Sequence, residues 1–143
     1  MKWEYDTGGR ENYFKKLNVG DCVVRAIAIA NDLDYKVSYN LVKRYYHGNT
    51  PRNGVPTKVY GELLKDLGWK YVSFSGRGYK GKGKFLNEKS LPIDETIICR
   101  VSNHLTTVID GVIHDTYDCS KSGTRQVYGY WYRVLGNKEE KSL

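Results

Sequence analysis

Cysteine is scarce in this chain, and what there is comes without pairing. Cys22, Cys99 and Cys119 are an odd number, far apart, with no Cys-x-x-Cys spacing. That argues against a disulfide framework and suits a reducing compartment. The three histidines, His47, His104 and His114, supply no zinc-site spacing, so neither a metal nor a cofactor is expected. No apolar run approaches the roughly eighteen residues that a membrane-spanning helix needs, and no membrane partner is expected. The first residues, Met1-Lys2-Trp3-Glu4-Tyr5-Asp6, carry charges where a secretory signal would have its apolar stretch. A cytoplasmic location follows as the expectation.

What is present fits one domain over residues 1–143, long enough to bury a single core. The formal charge is +7, and much of the excess is local. Residues 76–84, Gly-Arg-Gly-Tyr-Lys-Gly-Lys-Gly-Lys, contain Arg77, Lys80, Lys82 and Lys84 and no acid. The glycines match a dinucleotide fingerprint by letter but lack its strand-to-helix setting. The bland reading is a surface loop. The functional one is a contact for nucleic acid or an acidic protein partner.

The order of elements reads as helices first and strands after. Residues 1–19 are expected to be irregular. Helices are predicted from Cys22 to Asn31, from Tyr35 to His47 with Asp34 as N-cap, and from a Thr57 cap to Leu67, ended by Gly68. Strands are predicted at 69–74, 96–101, 105–109, 112–117 and 127–135. This is an α+β arrangement, with N-terminal helices packed on a C-terminal antiparallel sheet.

Two segments carry chemistry. Asn18-Val19-Gly20-Asp21 is polar and turn-forming, and Cys22 follows it at the head of the apolar run Val23-Val24-Arg25-Ala26-Ile27-Ala28-Ile29-Ala30. The first turn of a helix offers unpaired N–H groups and the positive end of the dipole, which favour a thiolate. Asp110-Gly111 then predicts a two-residue hairpin turn. Counting outward pairs Ile109 with Val112, Val108 with Ile113 and Thr107 with His114, so His104 and Asp115 share a face. His114 and Asp118 turn to the other. A thiol, a base and a carboxylate that fixes the base's tautomer form the logic of an activated nucleophile. The structural alternatives are a core cysteine at Cys22, a strand-end His104, a surface Asp115 and turn formation at Asn18. Arg25, the lone charge in its helix, calls for a buried carboxylate such as Asp21 or Glu62. Cys99 and Cys119 read as structural. The aromatics of Tyr128-Gly129-Tyr130-Trp131-Tyr132 read as core and sheet edge.

The order Cys22, His104, Asp115, with a helix carrying the first and a sheet the other two, resembles the papain-like cysteine peptidases of small microbial and phage type. Gly20-Asp21-Cys22-Val23-Val24-Arg25-Ala26 also resembles the nucleophile helix of ovarian-tumour-type deubiquitinases. His104 through Asp115 resembles the histidine hairpin of bacteriocin-processing peptidase domains. The resemblance implies a papain-like fold and a thiol hydrolase, peptidase or isopeptidase, acting on a peptide or protein through an acyl-enzyme thioester. It assigns nucleophile, base and orienting acid to Cys22, His104 and Asp115. Lys16 stands where papain-like enzymes place an oxyanion-binding glutamine, which leaves Asn18 as the nearest amide. The His-to-Asp interval of 11 is nearer that of NlpC-type cell-wall peptidases, whose pattern after the cysteine differs. The alternative function is a non-catalytic binding module, or an inactive peptidase relative, engaging nucleic acid or an acidic partner through Arg77, Lys80, Lys82 and Lys84.

Overall fold

The computed structural model describes residues 1–16, 19–74 and 83–133. Its elements, in chain order, are β1 (Lys2–Tyr5), α1 (Cys22–Ala30), α2 (Tyr35–Tyr45), α3 (Thr57–Asp66), β2 (Trp69–Ser73), β3 (Lys84–Phe85), β4 (Thr96–Val101), β5 (His104–Ile109), β6 (Val112–Asp115), β7 (Gln126–Val127) and β8 (Gly129–Arg133). A single 3₁₀ turn, Arg10–Asn12, lies between β1 and α1. Six strands form one sheet in the order β1-β6-β5-β4-β8-β2, and β3 pairs with β7 beside it. Among the described residues no helix is long and apolar enough to cross a membrane.

The apolar patterning explains both faces of the sheet. Val24, Ile27, Tyr35, Val42, Leu63 and Leu64 project from the helices into one core, with Ile98, Leu105 and Trp131 from the sheet. Ile97, Cys99, Val108 and Ile113 alternate to the opposite face and meet Leu86, Leu91, Cys119 and Val127 in a second core. Side-chain hydrogen bonds fix α1 between its neighbours. Thr107 Oγ1 donates to Ala26 O at 2.8 Å and Ser38 Oγ donates to Val24 O at 2.9 Å.

Several sequence expectations need correction. The segment 1–19 is not irregular throughout, because Lys2–Tyr5 forms β1, parallel to β6. The sheet is therefore mixed rather than antiparallel. β6 would otherwise be an edge with unpaired backbone groups, and β1 satisfies them. Thr57 is the first residue of α3, and Pro56 occupies the cap position. The strand predicted at 127–135 is divided at Tyr128, where the chain leaves β3 for β4 and β2. Residues 134 and 135 lie outside the described residues, as do Asn18, Arg77, Lys80 and Lys82. Lys84 lies on β3, opposite Val127.

The hairpin register is the one predicted: Thr107 pairs with His114, Val108 with Ile113 and Ile109 with Val112. Asp110 and Gly111 both take positive φ, 48° and 78°, as a type I′ turn requires. A Cβ at Gly111 would also meet Ile93 Cβ at 3.3 Å. Gly111→Ala should therefore cost about 1–2 kcal/mol. Urea denaturation checks this, and an unchanged midpoint would contradict the strain assigned to the turn.

Candidate active site

Asp21 occupies the N-cap position of α1 without capping it. Its carboxylate is turned inward instead. Oδ1 accepts from Arg25 Nε at 2.9 Å and from Arg10 Nη1 at 3.2 Å, and Oδ2 accepts from Tyr35 Oη at 2.8 Å. Arg52 Nη1 donates in turn to Tyr35 Oη at 3.0 Å. The first turn of α1 thus lacks a side-chain cap, and Cys22 is its first residue. The Cys22 N–H has no acceptor within the helix.

Arg25, one turn further on, spans two buried acids. Its Nη1 donates to Asp115 Oδ1 at 2.8 Å while its Nε holds Asp21. Asp115 is 1% exposed, and its oxygens are fully engaged. The Thr116 N–H donates to Oδ1 at 2.7 Å, Thr106 Oγ1 donates to Oδ2 at 2.7 Å, and His104 Nε2 lies 2.6 Å from Oδ2. A carboxylate held from four sides gives the imidazole a fixed orientation. The Tyr117 ring packs against that of His104, with centroids 5.3 Å apart.

The electrostatics follow from these contacts. Burial pushes the Cys22 thiol up, but hydrogen bonding and charge from His104, a backbone hydrogen bond from Leu105 and the charge of Arg25 hold it below its ordinary value. Burial alone would lower His104. Hydrogen bonds with Asp115, Cys119 and Cys22, and the Asp115 charge, instead raise its imidazole well above the usual range. Burial would raise the Asp115 carboxyl, yet His104, Thr106 and Arg25 drive it far below the usual carboxylate range. The three shifts favour one state, a thiolate beside an imidazolium beside a carboxylate.

Cys22 and His104 line one pocket of about 530 Å³, between the heads of α1 and α3 and the ends of β4 and β5. Its other walls include Val55, Tyr60, Arg100 and Tyr128. The 53–55 segment is drawn against the Cys22 turn by a backbone bond from Gly54 N–H to Gly20 O at 2.9 Å. Gly20 permits this approach, since a Cβ there would sit 3.1 Å from the Gly54 nitrogen.

The structure thus gathers Cys22, His104 and Asp115, which the sequence reading singled out. His114 points away from them, toward Asp6 and Glu4, and Asp118 bonds to Ser120. Asn18 cannot be placed relative to the pocket, because it lies outside the described residues. Two residues at the site escaped the sequence reading. Arg25 calls in the sequence for Asp21 or Glu62, and the structure gives it Asp21 together with Asp115, a partner 90 positions away. Cys119, read as structural, brings its sulfur within 4.8 Å of a His104 ring nitrogen. The segment between Asp115 and Cys119 carries no register that would reveal the second.

His104, Asp115 and Cys119 bring their ligand atoms within 4.8 Å of one another, the one such cluster among the described residues. It is poorly suited to a cation. Asp115 already accepts from four groups, and one of them is the Arg25 guanidinium, whose charge opposes a metal ion. No protein-family model matches this chain, and no curated protein or solved structure does so either.

Proposed function

We propose that the chain is a thiol hydrolase of papain-like type, a peptidase or isopeptidase in which Cys22 is the nucleophile, His104 the acid and base, and Asp115 the residue that orients His104. One observation carries the reading. A partly exposed thiol at the uncapped end of a helix interacts with an imidazole whose Nε2 is held by a buried carboxylate, and both thiol and imidazole open on one pocket. The Cys22 sulfur attacks a carbonyl carbon, and the N–H at the start of α1 is available to the developing oxyanion. The C–N bond breaks as His104 gives its proton to the leaving amine. Water then attacks the thioester, passing a proton to His104. The C–S bond breaks, and the thiolate is restored.

Labelling with iodoacetamide at neutral pH tests the reading. Cys99 and Cys119 are buried, so fast modification should be confined to Cys22 and depend on His104. A panel of peptide and isopeptide amides should be hydrolysed by the wild type and left intact by Cys22→Ala. Slow labelling of all three cysteines, with no effect of His104→Ala, would overturn the proposal and return the chain to the class of non-catalytic binding modules.

A further inference from the structure

Arg100 and His104 are the basic side chains in the wall of the pocket, and among the described residues no carboxylate lines it. Arg100 sits on β4, on the face that carries Ile98 and Leu105 toward the helices, and Gly129 is its cross-strand partner on β8. A Cβ at position 129 would fall 2.1 Å from the Tyr71 hydroxyl. The absence of one leaves that hydroxyl room above the strand, on the Gly129 flank of Arg100, whose charged form it favours. The guanidinium also lies over the Tyr128 ring, 5.4 Å from its centroid. These contacts steer the side chain and leave its charge unneutralised. Among the described residues no acid lies within ion-pair distance of Arg100, whereas Arg10 and Arg52 each have one and Arg25 has two. A guanidinium has five donors, so a hydroxyl and a ring do not exhaust it.

The Tyr60 hydroxyl in the same pocket wall, raised above its ordinary value mainly by burial, lies within electrostatic reach of both Arg100 and Cys22. Tyr60 belongs to α3, whose first turn lacks both a side-chain cap and an acidic residue, and Pro56 and Thr57 at that end line the same pocket. The N–H groups of Thr57 and Lys58 have no partners within the helix.

From this arrangement we infer that Arg100, aided by the open first turn of α3, is the specificity residue of the pocket, and that the acyl substrate of Cys22 carries a carboxylate close to its scissile carbonyl. A fork of N–H donors matches a carboxylate, and no carboxylate among the described lining residues opposes it. The carboxylate can belong to an acidic side chain beside the bond or to a chain terminus. The inference rests on Cys22 as the reacting atom, and its test is chosen so that it can fail separately from the hydrolase reading.

Iodoacetate and iodoacetamide deliver the same alkyl carbon to sulfur and expel the same iodide, but only the first carries a carboxylate. The readout is the ratio of their rate constants at Cys22, set against a free thiol at the same degree of ionisation. The ratio should exceed that of the free thiol and fall roughly tenfold in Arg100→Gln, the scale of one charge about 4 Å from an anion in a largely solvent-screened site. Arg100→Lys should recover part of it. An equal ratio in wild type and Arg100→Gln would overturn the inference. It remains measurable if Cys22 labels slowly and without need of His104, the outcome that removes the hydrolase reading. Two pairs of peptides then separate the sources: Glu against Gln beside the bond, and a free against an amidated C-terminus. The pair whose preference disappears in Arg100→Gln identifies the carboxylate. A preference in neither pair counts against the substrate class.

Discussion

Arg25→Ala should lower the stability of the fold by about 3–5 kcal/mol, the scale for breaking a buried ion pair by removing one partner. The guanidinium is buried and shared by two buried carboxylates, at 2.9 Å from Asp21 and 2.8 Å from Asp115. Removing it leaves Asp21 with Arg10 and Tyr35, and Asp115 with His104 and the threonine donors. Neither acid is stripped bare, but each loses its closest arginine in a low-dielectric setting, and a void opens beside α1. Arg25→Met fills much of that void, so the difference between the two variants separates packing from charge. Urea denaturation measures both. A loss below about 1 kcal/mol in Arg25→Ala would mean that the network around Asp21 and Asp115 closes without it.

The same network sets an acid limit. The Asp115 carboxyl is depressed in the folded state, so its stabilising contribution is present above the unfolded value of about 3.9. It is lost as pH falls through the folded value. His104 is raised, so its contribution is complete below the unfolded value of about 6.5 and is lost as pH climbs through the folded one. Stability contributed by this pair is therefore greatest in the interval between those two unfolded values.

Local signals in the sequence account for most of the scaffold. The apolar run after Cys22, the Asp34 cap and the leucines of α3 each specify a helix through neighbours within a few positions. The Asp110-Gly111 dipeptide specifies a turn, and the turn sets which strand residues oppose each other. From there the placement of His104 and Asp115 on one face is arithmetic. What escapes is whatever depends on a distant partner. β1 is exposed along its length and has no buried stripe to announce it. It exists because β6 offers a free edge 110 residues later. Arg25 reads as a charge in need of an acid, and nearby Asp21 answers that need. The second acid, Asp115, is supplied only by folding α1 against the hairpin. Arg100 carries no local signal, and only the pairing of β4, β8 and β2 brings Gly129 and Tyr71 beside it. Thr57 failed as a cap for a local reason, since Pro56 already brings the extended backbone that the cap position uses.

The larger kinetic effect belongs to His104. With the thiol depressed, alkylation of wild-type Cys22 should rise along a pH limb that lies below the ordinary thiol value of about 8.5. Hydrolysis should follow the same limb and then fall along a second one, above the ordinary imidazole value of about 6.5, when His104 loses the proton that the leaving amine needs. His104→Ala removes the counter-charge while the burial that opposes ionisation remains. The acid limb should move up to the ordinary thiol value or beyond, and reactivity near pH 6 should drop by roughly 10²–10⁴-fold. Asp115→Asn should act in the same direction and by less, because the sulfur and the proton carrier are still in place. Asparagine is the better probe than alanine, since it keeps the shape that Arg25 and Thr106 pack against. With a neutral amide beside Nε2 the imidazolium is less stable, so the alkaline limb should move down while the acid limb moves up. The window between them narrows from both sides. Asp118→Ala provides the contrast, because its carboxylate serves Ser120 and does not touch His104. Its profile should overlay that of the wild type. If Asp118→Ala narrows the window more than Asp115→Asn does, the carboxylate that orients His104 during turnover is not the one hydrogen-bonded to it at rest, and the assignment of Asp115 falls.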